Sequence, residues 1–318
     1  MNRETFSGDV SRAQYASRFN KVLDYIQANL SAPLGLETLA AEACFSPYHF
    51  HRLFHAWTGE TTHDFILRLR LERAARYLVY DRQRSITEIA LGCGFASASS
   101  FARAFKSCHG ISASEWRALR KIRKADRKIR EDTDSAGRQY SEYGHRSGSF
   151  REETFTVKLR VKVKQIPPMH VAYVRHMGPF QENAALFEHL FSRLAAWAGP
   201  RGLLDDPSSR LLSVHYDNPD ITEAQRLRLD AALTVPDGTK VTGEIGRQKL
   251  EGGAYAVARV RIHAKQYTES WRALMGGWLP GSGYQPDDRP CLEIYQNDPK
   301  ADPEGMHEVE ICLAVKPL

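Results

Sequence analysis

The strongest constraint in this sequence is a repeat. LETLAAEACFSPYHFHRLFHAWTG, residues 36–59, returns in altered form as ITEIALGCGFASASSFARAFKSCHG, residues 86–110. Leu39, Ala40 and Phe45 recur as Ile89, Ala90 and Phe95 at a spacing of 50. After one inserted residue, Phe50, Arg52, Phe54 and Gly59 recur as Phe101, Arg103, Phe105 and Gly110 at a spacing of 51. Each copy reads as a short helix, a tight turn and a second helix. Ser46 followed by Pro47 is a helix entry, since serine accepts from an orphan amide and proline at the first position has no amide to lose. Phe50, Leu53, Phe54 and Trp57 then make an apolar stripe, and Tyr48, His51, Arg52 and His55 fall on the other side. In the second copy Ser85 and Glu88 have capping-box spacing, Gly92 and Gly94 relax the turn, and Ala90, like Ala40, lets two helices approach closely.

Between the copies, TTHDFILRLRLERAARYLVYD is continuously amphipathic and predicts a helix of roughly 30 Å. One turn of B-DNA separates successive major grooves by about 34 Å, so a stiff connector of this length suits two recognition helices on one DNA face. The helical pattern holds from Arg18 to Arg130. GRQYSEYGHRSGSFREE, residues 137–153, is polar and aperiodic and reads as a linker. Beyond it VKLRVKV, HVAYVRH, LLSVHY, LDAALTV, YAVARVRI, CLEIY and VEICLAV read as strands, interrupted by helical stretches near Gln181–Trp197 and Gln266–Leu274. YDNP at 216–219 with LDAALTVP recurs later as YQNDP with VEICLAVKP. Two βαββ-like repeats are the economical reading.

A chain of 318 residues exceeds one ordinary core. The expected layout is an all-α domain over 1–120 with its core at 18–117, a charged helix end and flexible linker over 121–155, and an α+β domain over 156–318. Charge follows the same division. The first 120 residues carry 15 basic and 11 acidic side chains, whereas 156–318 carries 20 of each. A polyanion partner is therefore expected at the first domain. The run KIRKADRKIR at 121–130 reads as a solvated helix face or a phosphate contact. Five scattered cysteines without a C-x-x-C pair speak against a disulfide framework and a zinc site, and fit a reducing compartment. Absence of a leader pattern and of a long apolar run leads to the expectation of a cytoplasmic protein without a membrane partner. His51 and His55 lie one helical turn apart, but no cysteine or carboxylate completes a set, so neither a metal nor a cofactor is expected.

Residues 18–117 resemble the DNA-binding domain of AraC/XylS-type transcription regulators. The likeness rests on the S-x-x-H-x-x-R-x-F element of the first copy and on I-x-E-I-A-x-x-x-G-F with F-x-R-x-F-K in the second; near the end, Ala113 and Trp116 precede Arg117 where the family has P-x-x-Y-R. The resemblance implies double-stranded DNA as partner, with Tyr48, His51 and Arg52 entering one major groove and Ala98, Ser99, Ala102 and Arg103 the next. Arginine can make two hydrogen bonds to guanine O6 and N7, so Arg52 and Arg103 are the sequence-reading candidates. His51 faces a base or a phosphate; His49 reads as a packed or capping histidine. Activation through contact with RNA polymerase is the family's habit.

From Val157 to Leu318 the chain resembles GyrI-like effector-binding domains, through HVAYVRHMGPF, YDNPD, GAYAVARVRI, PCLEIYQNDP and VEICLAVKP. The resemblance implies a small-molecule effector, hydrophobic or cationic, as in regulators that sense drugs. In CLEIY, Leu292 and Ile294 face one way while Cys291, Glu293 and Tyr295 face the other, which puts a carboxylate on an internal strand. Such a group is protonated, paired with an arginine such as Arg259 or Arg175, or awaits a cation. Tyr255, Trp271, Trp278 and Tyr295 are the aromatic candidates around it, since the tryptophans flank GGWLPGSGY and Tyr295 shares the glutamate's face. The overall reading is a DNA-binding regulator without enzymatic activity. The alternative is a hydrolase of reactive small molecules using Glu293 and Tyr255 or Tyr295.

Overall fold

The computed structural model describes residues 3–81, 83–118, 159–181, 183–219 and 221–318. The basic run 121–130 and the linker 137–153 lie outside them. The chain divides into two compact units, one of residues 25–148 and one of residues 149–318 together with 1–24. Helix α1 (Arg3–Ala28) contributes to both.

In the helical unit each repeat copy is two helices about a turn: α2 (Leu36–Glu42) with α3 (Pro47–Thr58), and α5 (Ile86–Gly92) with α6 (Ala98–His109). A last helix, α7, occupies 113–118. The two turns carry the same hydrogen bonds. Phe45 N donates to Ala40 O at 2.9 Å and Phe95 N to Ala90 O at 3.1 Å. At the matching turn positions Cys44 has φ 54° and Gly94 φ 87°. Gly94 is required for space as well, because a Cβ there would meet Arg70 Nε and Leu30 O at 2.8 Å. Gly92 instead ends α5 and has no such role. Ser46 and Ser97 cap α3 and α6 through their side chains, and Gly59 and Gly110 end those helices in the left-handed region. Ser85 and Glu88 form the capping box.

Phe50 and Phe54 are fully buried against Phe65, and Phe101 and Phe105 against Phe95. Full burial of a phenylalanine contributes roughly 1.5–3 kcal/mol, so these six rings define the core. Trp57 does not complete the stripe: it is 38% exposed. Seven residues past Phe50, a straight helix has drifted about 20° from a strict repeat, and Trp57 sits in the last turn, at the edge of the core. The connector α4 (Thr62–Tyr80) has 19 residues, a length of about 28 Å. Arg68 anchors its start through a buried pair with Glu60.

The second unit is a nine-stranded antiparallel sheet, ordered β1-β6-β9-β8-β3-β4-β2-β5 with β7 added on β9. Its strands are β1 (Val161–Ile166), β2 (Met169–Met177), β3 (Leu211–His215), β4 (Arg228–Thr234), β5 (Gly246–Leu250), β6 (Gly253–Ile262), β7 (Tyr284–Pro286), β8 (Cys291–Tyr295) and β9 (His307–Pro317). The repeat is explicit here. One copy is β2, helix α8 (Ala184–Ala198), β3 and β4; the other is β6, helix α9 (Tyr267–Arg272), β8 and β9. The copies join where β3 pairs with β8, setting Ser213 opposite Glu293 and Val214 opposite Leu292. On one face Ala172, Val174, Leu229 and Ala231 pack beneath Leu190, Leu194 and Trp197 of α8. On the opposite face Tyr173, Leu212, Val214, Tyr255, Leu292 and Ile294 form a second core layer. That layer borders a contact with α1, where Tyr173 O–H donates to Asp24 Oδ2 at 2.6 Å and the Asn20 amide reaches Glu244 O at 3.5 Å. Among the described residues no helix is long and apolar enough to cross a membrane.

Candidate functional site

The helical unit presents one matched surface twice. Tyr48, His51 and Arg52 on α3 are exposed, as are Ser99, Ala102 and Arg103 on α6, while Ala98 is half-buried at the first turn. Arg52 and Arg103 each stand six residues beyond their capping serine. Arg52 Nη1 donates to the Tyr48 hydroxyl at 3.1 Å, so tyrosine and arginine form one exposed polar group. His49 has another task. Its Nδ1 lies 2.9 Å from Ser46 Oγ, which reinforces the cap. Ser99 Oγ is likewise 3.1 Å from the capping Ser97 Oγ. Among the described residues no three His, Cys, Asp or Glu side chains gather as a metal set.

The second site grows from β8. Strand alternation sends Leu292 and Ile294 into one core layer and turns Glu293 and Tyr295 to the face that α8 and α9 share. The β3–β8 pairing adds Ser213, and two residues on, His215. Glu293 is 4% exposed, and each of its oxygens accepts from a protein donor. Trp271 Nε1–H of α9 donates to Oε1 at 2.7 Å, and Tyr295 O–H donates to Oε2 at 3.1 Å. Ser213 Oγ sits 2.8 Å from the Tyr295 oxygen; with the tyrosine proton committed to the carboxylate, serine is the donor of that pair. His215 Nε2 lies 3.4 Å from Oε1, within ion-pair range but without hydrogen-bond alignment, and has no hydrogen-bond partner among the described residues. Phe180 and Trp271 stand against the imidazole, with ring centroids 5.5 and 6.1 Å away. Phe191 of α8 meets Tyr295 edge to face. Tyr267 of α9 completes the rim through a 3.0 Å contact with His307 Nδ1.

Burial pushes the Glu293 carboxyl upward, but His215 and the donors Trp271 and Tyr295 outweigh it and hold the group below its ordinary range. Glu293 is an anion at neutral pH. Burial, and then the charge of Glu293, push the Tyr295 phenol well above its ordinary range, so it stays a donor. Burial lowers His307.

Three of the five residues expected around an effector are thus together: Glu293, Trp271 and Tyr295. Two are not. Tyr255 lies in the opposite core layer, beneath Arg289, with its hydroxyl toward Pro290 O at 3.4 Å. Trp278 stacks on Tyr284. It stands seven residues after Trp271, which in an α-helix would share a face, but Ala273–Trp278 is wound as a π-helix and the wider turn moves it out of phase. The arginines expected as alternative partners are engaged elsewhere: Arg175 with Asp230 and Asp24, Arg259 with Glu308. Sequence reading missed His215. The alternation of LLSVHY was its signal, since Ser213 and His215 fall on one face.

Residues 160–316 match the GyrI-like small molecule binding domain and residues 39–119 match a helix-turn-helix domain. Over 158 residues the chain is 33% identical to a DNA gyrase inhibitor of Edwardsiella piscicida, covering 48% of this chain and 97% of that protein. The helical part is similar to the solved DNA-binding domain of AdpA in complex with a target DNA, at 29% identity over 33% of this chain and 95% of that one, with a TM-score of 0.32. It is also similar to an AraC-type transcriptional regulator from Chromobacterium violaceum, at 30% identity over 32% and 91% of the two chains, with a TM-score of 0.31.

Proposed function

This chain belongs to the GyrI-like family through its second half and carries an AraC-type helix-turn-helix domain in its first, and from that premise we propose that it is a transcription activator switched by a hydrophobic or cationic small molecule. The observation that carries the proposal is the Glu293 cluster: a buried ionised carboxylate, ringed by Trp271, Tyr295, Phe180 and Phe191, whose charge partner is an imidazole. Aromatic faces supply apolar burial and attract cations, and the carboxylate supplies the opposite charge. Tyr48, His51 and Arg52 read one major groove and Ala98, Ser99, Ala102 and Arg103 the next, on one face of double-stranded DNA. The protein acts in the cytoplasm, and activation proceeds through contact with RNA polymerase.

The hydrolase reading has less support. A carboxylate held below its ordinary range by three partners is a weak base toward water; of its two candidate tyrosines, Tyr255 is on the far face of the sheet and Tyr295, beside Glu293, is held as a donor to it.

The DNA half of the proposal is tested by selecting duplexes from a random pool with the full chain, then measuring variants. Arg52→Ala and Arg103→Ala should each cost about 1–3 kcal/mol on the selected site and little on random DNA. Equal losses on both would reassign these arginines to phosphates. Deleting the gene and measuring transcripts beside the bound sites distinguishes the roles: transcripts fall for an activator and rise for a repressor.

A further inference from the structure

A pocket that takes a cation must offer it a negative charge, and here that charge is already shared. His215 Nε2 is 3.4 Å from Glu293 Oε1. The two side chains are 13% and 5% exposed, so water screens the pair weakly. Histidine is the side chain whose ordinary titration falls between pH 5 and 8. As imidazolium it cancels the carboxylate; as neutral imidazole it leaves the carboxylate to attract another cation. Among the described residues, the other titratable groups around the pair are Tyr295, Tyr267, His307 and, directly across the ladder from His215, Cys291, a thiol that carries no positive charge in either form. Tyr295, on the same strand, and Tyr267, on α9, are phenols kept protonated by burial. Trp271 carries no charge. His307, on β9, is the other imidazole near the carboxylate; its Nδ1 is engaged by the Tyr267 hydroxyl at 3.0 Å. Ser213, opposite Glu293 on β3, is committed to Tyr295.

We propose that His215 is the charge-selectivity determinant of this pocket: protonated, it occupies the position of a cationic ligand and admits neutral aromatic molecules, and deprotonated, it yields that position to a cation. The proposal rests on the reading of the Glu293 cluster as the effector site. It adds that a cation binds with release of one proton from His215, while a neutral molecule of the same shape binds without proton exchange. The imidazole packs between Phe180 and Trp271, so the ring forms part of the wall for either kind of ligand and only its charge discriminates.

Two probes of matched shape separate charge from shape: benzyltrimethylammonium, a fixed cation, and neopentylbenzene, its neutral carbon isostere. Their affinities for the full chain are measured calorimetrically from pH 6.5 to 8.5, in two buffers of different ionisation enthalpy, with His215→Gln and Glu293→Gln alongside. The expected result is cation binding that tightens by at least about twofold over this range, as an ordinary imidazole would give, with buffer-dependent heat, against flat binding of the neutral probe. In His215→Gln the cation should bind at pH 6.5 as tightly as at pH 8.5 and the neutral probe should stay flat with pH, whatever the loss of ring contact does to its absolute affinity; a wild-type urea midpoint shows that the variant is folded. An unchanged pH profile in His215→Gln overturns the proposal while leaving the effector site standing, provided Glu293→Gln still abolishes the cation's preference. Loss of the profile in His307→Gln instead would move the role to that residue and overturn the proposal as stated. Cation affinity indifferent to Glu293→Gln, or no binding of either probe, removes the effector-site reading and the proposal with it.

Discussion

Two carboxylates are buried in the same sheet, on opposite faces, and they are partnered by different means. Asp230 on β4 lies directly across the ladder from Arg175, which grips it through Nε and Nη2 at 2.7 Å each. Tyr216 O–H and the Gln248 amide add bonds at 2.6 and 2.9 Å. Glu293 on β8 has an indole, a phenol and an imidazole. A guanidinium does not lose its proton in any pH range where the protein is folded, so the charge of Asp230 is permanently spoken for. An imidazole does lose it. The number of partners is similar, and what separates the two carboxylates is whether the counter-ion is fixed.

The sharpest way to break that contrast is Arg175→Met. It strands both Asp230 and Asp24 without their cation, and removal of one partner from a buried pair costs about 3–5 kcal/mol. A urea midpoint followed by tryptophan fluorescence checks it, and a loss below about 1 kcal/mol would mean the cluster is not holding the sheet.

Acid stability gives a second, smaller test. The folded Glu293 carboxyl lies below its ordinary value of 4.5, so its contribution is full above that value and is lost as pH falls through the folded one. Asp24 is the reverse: burial raises it above 3.8 despite Arg175, so the folded state takes up its proton more readily and stability is gained as pH falls through that raised value. Glu293→Gln should therefore flatten the loss of stability between pH 5 and 3, and Asp24→Asn should steepen it. Urea midpoints at each pH decide; identical slopes in both variants would erase the distinction between the two faces.

The smallest effect belongs to Tyr255→Phe. Its hydroxyl makes one long contact, to Pro290 O at 3.4 Å, so the change should cost no more than about 1 kcal/mol and leave both probe affinities as they are. A selective loss of cation binding would return Tyr255 to the effector site.

Much of this arrangement is legible in the sequence. The helical repeat announced itself because its signals are local: Ser46 and Ser97 before their helices, Gly59 and Gly110 after them, phenylalanines four apart. The βαββ repeat followed from the return of YDNP and LDAALTVP as YQNDP and VEICLAVKP, and the separation of Glu293 from Leu292 and Ile294 from alternation in CLEIY. What stayed hidden depends on pairing between distant strands. Nothing in LLSVHY states that it will lie against CLEIY, and only that register brings His215 to Glu293. Tyr255 shows the same gap from the other side, since alternation fixes which neighbours share a face but not which face. Trp278 was misplaced by a change of helix type that the Gly276–Gly277 pair permits but does not announce.

The bond between Asp24 and the sheet has a consequence for how the chain is made. Tyr173 and Asp24 are 149 residues apart in sequence, and Asp230 is later still. On the ribosome Asp24 emerges long before its arginine, at about 5–20 residues per second. The earliest part of the chain therefore has to keep a carboxylate in water until β2 and β4 have been synthesised. A stop codon anywhere before β4 leaves a product in which that residue has no closed cluster to join.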